Sequence, residues 1–298
     1  GDEIVVTKAE HHSVLLPFQE LALRTGATLK WFDLDEEGRV RSDTANEVIT
    51  DRTKIVAVTH VGNTTGAITD IAPIIRRAHE VGAVFVLDAC QSVPHLKVDF
   101  HALDVDFAAW SAHKMYGPTG VGFLYGKREM LEALPPANFG GSMVELAWMD
   151  QEAQYMEPPA RFEAGTQPVA QGVAAGVAAE WLMNIGMENL EAHERTITDE
   201  LLKMGDIDGI RILGPRSNKE RIGTVAFEVE GVHPHDVGQF IDAQGIAIRV
   251  GHHCAQPVHR HFGVYASNRA SSGIYNSVED AQALIEALGK VRPFFGVE

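Results

Sequence analysis

Cysteine is almost missing from this chain: Cys90 and Cys254 are the only two in 298 residues. So few thiols exclude a disulfide-stapled scaffold, and in a large acidic chain they are expected to stay reduced. Long apolar runs are missing as well. No stretch approaches the roughly 18 or more consecutive apolar residues of a membrane-spanning helix. The start, Gly1-Asp2-Glu3, has neither the basic stretch nor the apolar core of a signal peptide. Positive charge is scarce: 25 Lys and Arg stand against 41 Asp and Glu, a formal net charge of −16. That balance argues against a nucleic-acid surface and against an anionic membrane, and favours small-molecule or protein partners. The expected location is the cytoplasm, where the sequon Asn63-Thr64-Thr65 is accidental. No repeat or low-complexity segment stands out.

What is present suits a sizeable core. Apolar residues make up 45% of the chain, and its length predicts two domains, divided here as 1–183 and 184–298. Apolar runs at Ile4 to Val6, Lys54 to Thr59, Ala83 to Leu87 and Phe107 to Trp110 read as strands. The first begins with almost no lead-in, the mark of a fragment or a trimmed domain. Between the second and third strands, Ile71, Ile74, Ile75, Ala78 and Val81 form one helical stripe, with Asp70 placed to cap it and Gly82 to stop it. Strand, helix, strand with continuous apolar strands predicts an α/β fold with a mostly parallel sheet. From about 135 to 168 the pattern is irregular. Val169 to Ile185, with Gly172 and Gly176, predicts a buried helix packed closely on a neighbour. Glu188 to Met204 reads as a polar amphipathic helix crossing to a small α+β domain. In that domain the expected elements are strands Arg211 to Leu213, Thr224 to Val229 and Ala247 to Val250, a helix from His235 and a last helix Ser277 to Leu288.

Ligands of parallel sheets sit beyond the carboxyl ends of the strands. Glu10, His11 and His12 follow the first strand, His60 and Asn63 the second, Asp88 and Gln91 the third, and Ser111, His113 and Lys114 the fourth. Ionisable and polar residues thus converge on one sheet edge. A lysine at the mouth of a buried strand is unusual unless something neutralises or uses it, although a lysine that snorkels from a strand end is the plain alternative. Lys114 and Asp88 on neighbouring strand ends supply what pyridoxal phosphate requires: an amine for a Schiff base and a carboxylate that keeps the pyridine nitrogen protonated. Asp88 alone reads equally as the N-cap of a helix that follows its strand. His11 is placed to stack on such a ring, and Ser111 and His113 to donate to its phosphate.

Five blocks carry a further resemblance: Ala9-Glu10-His11-His12, Leu87-Asp88-Ala89-Cys90-Gln91, Ser111-Ala112-His113-Lys114, Arg161-Phe162-Glu163-Ala164-Gly165-Thr166 and Arg249-Val250-Gly251-His252-His253-Cys254-Ala255-Gln256-Pro257. In this order they resemble the SufS-type cysteine desulfurases, pyridoxal-phosphate enzymes of the class V aminotransferase-like group and of fold type I. The resemblance implies a homodimer that converts L-cysteine to L-alanine and leaves a persulfide on Cys254, for transfer to a SufU- or SufE-type acceptor in iron-sulfur cluster assembly. It implies Lys114 as the Schiff-base lysine, Asp88 on the pyridine nitrogen, Gln91 on the ring oxygen, and His11 as stacking and proton-transfer group. It further implies phosphate contacts from Ser111, His113 and, across a subunit boundary, Thr166. Asn63, Arg249 and Arg269 would grip the substrate carboxylate, Arg269 most directly.

The block around Cys254 marks it as the nucleophile, where a lone cysteine would read as a small buried apolar residue. Cys90, at an apolar strand end, keeps that reading. His252, His253, Cys254, His259 and His261 also suggest a zinc cluster, but adjacent histidines space poorly as two ligands from one loop, and no metal is expected. His235, in His233-Pro234-His235-Asp236, resembles the histidine that meets a zinc-bearing SufU-type acceptor; otherwise it opens a helix. The family usually carries a further N-terminal segment with a phosphate-cradling Gly/Thr stretch, and departs from this sequence at Ala112, Thr64-Thr65 and Val250. Selenocysteine lyase, another class V lyase or aminotransferase, and a non-catalytic partner-binding remnant are the competing readings.

Overall fold

The computed structural model describes residues 1–297. The first part is a six-stranded sheet of β1 (Glu3–Thr7), β2 (Thr28–Phe32), β3 (Thr53–Thr59), β4 (Val84–Asp88), β5 (Phe107–Ser111) and β6 (Gly122–Gly126). Their spatial order is β2-β1-β3-β4-β5-β6. All neighbours run parallel except β6, which returns antiparallel beside β5. The helices α1 (His12–Thr25), α2 (Ala45–Val48), α3 (Ala72–Glu80) and α4 (Arg128–Ala133) join or flank these strands. Valine-rich strands carry the core: Val5, Val56, Val58, Phe85 and Leu87 are fully buried and pack with Phe32, Ile49, Ile74 and Ala78.

A short hairpin of β7 (Val144–Leu146) and β8 (Gln154–Tyr155) precedes the long helices α5 (Val169–Ile185) and α6 (Met187–Leu202). A second, antiparallel sheet follows, ordered β11-β12-β10-β9, from β9 (Ile210–Leu213), β10 (Thr224–Val229), β11 (Arg249–Gly251) and β12 (Ser267–Ser271). It is completed by α7 (Pro234–Asp242), α8 (Gln256–Phe262), α9 (Val278–Leu288) and α10 (Val291–Phe295). Its core packs Phe227, Ile212 and Val225 against Ile197 and Leu201 of α6 and Leu284 of α9. Ser277 and Asp280 form a reciprocal capping box at the start of α9.

Several expectations need correction. Asp70 does not cap α3; Ile71 occupies that position without a side-chain bond, and Pro73, with its fixed φ, sets the first turn. The α5 helix has the expected bounds, but only Ala175, Ala178 and Leu182 are buried, while Val169, Val173, Val177 and Met183 are more than 60% exposed. Nothing lies against Gly172 or Gly176. The boundary expected at 183/184 falls inside the last turn of α5, and the chain turns at Gly186, where φ is 88°. Five strands escaped notice: β2, β6, the short β7 and β8, and β12. The last, Ser267-Asn268-Arg269-Ala270-Ser271, has no apolar alternation, yet Ser267, Asn268 and Ala270 are buried because both neighbouring strands cover it.

The two sheets meet through the loop after β3. Gly66, at φ 71°, turns that loop against β10, and a Cβ there would come within 2.4 Å of the Thr224 carbonyl. The buried Arg221 guanidinium donates to the Thr65 and Thr224 carbonyls beside it. Gly66→Ala is expected to lower stability by about 2 kcal/mol or more, read from urea denaturation, because it combines a left-handed backbone with a collision that no side chain can relieve.

Candidate active site

The carboxyl edge of the large sheet collects the predicted residues. Asp88 ends β4 and is held by its turn, its Oδ1 accepting the Cys90 N–H at 2.9 Å. Ser111 ends β5, and a single 3-10 turn, Ala112–Lys114, then carries His113 outward to solvent and leaves Lys114 half-buried. Among the described residues the Lys114 ammonium makes no hydrogen bond or ion pair. His11 caps α1: its Nδ1 accepts the Ser13 N–H at 3.1 Å. Burial holds the His11 imidazole below its usual pKa; the Lys114 charge adds to that and the Asp88 carboxylate opposes it, with smaller contributions from His12 and Arg269. One imidazole therefore senses the amine, the carboxylate and a guanidinium together.

Cys90 was expected to be a buried apolar filler, and the structure corrects this. It lies past the end of β4, half-exposed, against the same charges. Burial pushes its thiol up to about 11; Asp88 reinforces the shift, and Lys114 and a bond to Ser111 counter it. Cys90 thus lines the site but stays a neutral thiol at neutral pH, unsuited to nucleophilic attack. Gln91, next in the turn, is half-buried.

Behind this edge sits Glu10, fully buried. Its Oε1 accepts from the Thr7 hydroxyl (2.7 Å) and the Thr59 N–H (2.9 Å), while Oε2 has no partner. Burial raises its pKa to about 8, the two threonine bonds oppose the rise, and the nearby Asp88 charge adds to it. A neutral acid there leaves Asp88 as the charged carboxylate of the site. His60 is also buried and neutral, its pKa lowered to about 4 by desolvation.

The second sheet supplies the other wall. Arg249 and Arg269 face each other in register across β11 and β12. Arg269 donates from Nη1 to the Asn63 carbonyl at 2.9 Å, and its buried Nε has no partner. Burial lowers the Arg269 pKa, Arg249 lowers it further, and the Cys254 sulfur acts in the opposite sense. Among the described residues neither guanidinium is ion-paired. Two adjacent cations without a carboxylate make a ready anion site. The Asn63 side chain is turned elsewhere: its Nδ2 donates to the His253 carbonyl at 2.6 Å.

Cys254 is exposed, at the crest of a turn in which His253 (φ 50°) and Cys254 (φ 56°) both adopt left-handed backbone. Each such residue costs about 1–3 kcal/mol and persists only where neighbours enforce it. The loop's histidines are engaged in other bonds. His253 and His259 both bond Ser267 Oγ, at 3.0 and 2.9 Å, and His261 bonds the Asp35 carbonyl. Among the described residues no group of three or more His, Cys, Asp or Glu is arranged to hold a metal ion. Thr166 is exposed on the 163–168 segment and nothing joins it to Lys114 or Asp88. His235 is exposed in the first turn of α7, its ring stacked on His233 at 5.5 Å between centroids.

The class V aminotransferase family matches residues 1–284. The chain belongs to that family. Within it the similarity is to cysteine desulfurases. Probable cysteine desulfurase 2 of Mycobacterium leprae is 48% identical over the whole of this chain and 71% of its own length. The cysteine desulfurase of Haloferax volcanii is 42% identical over 99% of this chain and 69% of its own. Among solved structures, the apo cysteine desulfurase of Thermococcus onnurineus superposes with a TM-score of 0.94 at 37% identity, covering 98% of this chain and 73% of that one. The Escherichia coli cysteine desulfurase gives 0.92 at 36%, covering 99% and 73%. This class V chain therefore has pyridoxal phosphate as its cofactor. The residues gathered at this sheet edge fit it: a free amine at Lys114, a carboxylate at Asp88, and a neutral imidazole at His11 beside both.

The raised Glu10 pKa has a consequence for stability. Between the ordinary value of 4.5 and about 8, the unfolded chain releases this proton and the folded one keeps it, so stability falls as pH rises through that window. Urea denaturation across this range is expected to show the decline, and Glu10→Gln to flatten it. An unchanged slope in that variant would mean that Glu10 is ionised in the folded protein.

Proposed function

We propose that the chain desulfurates L-cysteine, releasing L-alanine and retaining the sulfur as a persulfide on Cys254. The observation that carries this is the placement of an exposed thiol opposite an unpaired guanidinium, with that guanidinium, Lys114 and Asp88 all acting on His11. When bound, pyridoxal phosphate supplies a carbonyl that condenses with amines and a protonated ring that accepts electrons from the substrate Cα. Lys114 would hold its carbonyl, Asp88 its ring nitrogen, Gln91 its ring oxygen, and Ser111 and His113 its phosphate.

Arg269, with Arg249 beside it, binds the substrate carboxylate, which would relieve the mutual repulsion of two desolvated cations. Asn63 orients Arg269 through its backbone carbonyl. The resemblance gave the Asn63 side chain a part in gripping that carboxylate; its bond to His253 supports a role in holding the thiol loop instead. His11, neutral because it is desolvated beside Lys114, could accept and return a proton at its imidazole next to that amine. Cys254 Sγ then bonds to the substrate sulfur as the Cβ–S bond breaks, and the carbon takes up a proton to leave as alanine. Cys90, whose thiol is pushed up to about 11, takes no part in the attack.

The persulfide passes to a sulfur-acceptor protein, here of the SufU or SufE type, for iron-sulfur cluster assembly. The exposed His235 at the start of α7 is the proposed contact for a zinc-bearing acceptor. A homodimer is supported by the uncovered stripe Val169, Val173, Val177 and Trp181 on α5, and in that dimer Thr166 would reach the partner's phosphate site. The thiol loop belongs to the smaller portion, taken here to begin after the Gly186 turn, and the cofactor residues to the larger portion before it. No helix of the described residues is long and apolar enough to cross a membrane; two free thiols support a cytoplasmic location.

In the protein loaded with pyridoxal phosphate, Cys254→Ala is expected to abolish alanine formation from cysteine, a fall of about a thousandfold or more, while the cofactor absorption remains. Full desulfuration by Cys254→Ala would overturn the assignment. With selenocysteine as substrate, retained turnover by the same variant would instead favour a selenocysteine lyase. Lys114→Ala is expected to lose the absorption band of covalently held cofactor.

A further inference from the structure

The turn that presents Cys254 is held by groups that the reaction above does not use. Its carbonyls are tied from outside the loop: the His253 carbonyl accepts from Asn63 Nδ2 (2.6 Å) and the Cys254 carbonyl from the His12 backbone N–H (2.8 Å). The His12 ring then returns to the same loop, where Nε2 accepts the Gln256 N–H at 3.2 Å, a donor in the first turn of α8. Such donors have no partner within their own helix. His12 therefore binds on either side of Ala255 and pins the chain from Cys254 to Gln256. Only a neutral imidazole can do this, because Nε2 must offer a lone pair. The ring is desolvated and faced by His252 and Arg260, and these together keep its pKa below the usual value.

Beneath the turn lies a second support. His259 Nδ1 bonds the Ala255 carbonyl at 3.0 Å, and a carbonyl only accepts, so Nδ1 carries the proton. Its Nε2 is then the acceptor for the Ser267 hydroxyl, which in turn accepts from His253 Nε2. Ser267 is fully buried on β12, opposite Gly251 of β11, so this chain of bonds is anchored in the small sheet. Backbone that is left-handed at two successive non-glycine residues needs such enforcement.

We propose that His12, with the Ser267–His259 pair beneath His253, is a positioning residue for the Cys254 thiol: it holds the turn in its left-handed conformation and touches neither substrate nor cofactor. The proposal rests on Cys254 being the thiol that receives the sulfur.

The experiment compares His12→Ala, His12→Gln, Ser267→Ala and Cys254→Ala in the protein loaded with pyridoxal phosphate, reading cofactor absorption, kcat and KM for cysteine, and hydrogen exchange over residues 252–258. His12→Ala and Ser267→Ala are expected to keep the absorption band and the KM, to lose about tenfold or more in kcat, and to exchange faster in that segment alone. His12→Gln, whose side-chain oxygen can accept from Gln256, is expected to recover most of the loss. In the wild type kcat should fall as pH drops through the depressed pKa values of His11 and His12, and His12→Gln should lose the His12 part of that acid limb while keeping the His11 part. Wild-type kcat and exchange in His12→Ala, or losses shared equally by cofactor absorption and KM, overturns the proposal. If His12→Ala fails to fold, His12→Gln and Ser267→Ala decide by the same readouts. Desulfuration by Cys254→Ala would instead remove the reading on which the proposal stands.

Discussion

Asn63 is the joint on which the site depends. Its backbone carbonyl receives the Arg269 guanidinium and its side-chain amide holds the His253 carbonyl, so one residue in the loop after β3 fixes both Arg269 and the loop of the Cys254 thiol. The residues proposed to hold the cofactor stand on one sheet and those proposed to bind the substrate on another. Without a rigid link, the spacing between Lys114 and Cys254 would drift, and reacting atoms tolerate little drift. The surrounding turn supports the link through Gly66, whose missing Cβ lets two backbones touch, and through Arg221, which is buried and spends its donors on carbonyls.

Desolvation sets the protonation states around that joint. His11, His60 and His253 are all held neutral by burial, His60 at about 4 and His253 at about 3. Glu10, with no cation against it, keeps its proton to about 8. The charges that remain, Asp88, Lys114, Arg249 and Arg269, belong to the groups proposed to bind cofactor and substrate. A buried site that neutralises its bystanders concentrates its field on the ligand. The two cysteines differ in setting: Cys90, half-buried beside the Asp88 carboxylate, is held as a neutral thiol, whereas Cys254 stands exposed near Arg269.

Much of this was legible in the order of residues. Apolar runs ending just before Asp88 and Ser111 marked the strands, and parallel strands between helices marked the edge where ligands are expected. Polar patterns misled: β12 carries only one apolar residue and was passed over, although it seats Arg269 and Ser267. Asp70 has the chemistry of a helix cap, but Pro73 starts α3 without it. Cys90 looked like a strand filler because composition does not say where β4 stops. His12, Ser267 and His259 drew no attention as supports, since a serine and two histidines scattered over the chain carry no spacing signal.

The amino-acid sequence alone determined the α/β class, the lysine and aspartate at adjacent strand ends, and the family to which the blocks around them belong, because those features are local and ordered along the chain. Tertiary structure decided which atoms meet. The pairing of Arg249 with Arg269, the turning of the Asn63 amide toward the thiol loop and the hydrogen-bonded support under His253 join residues far apart in sequence. Burial and backbone geometry exist only after folding, and they, rather than residue identity, fix which acid keeps its proton and which thiol stands exposed.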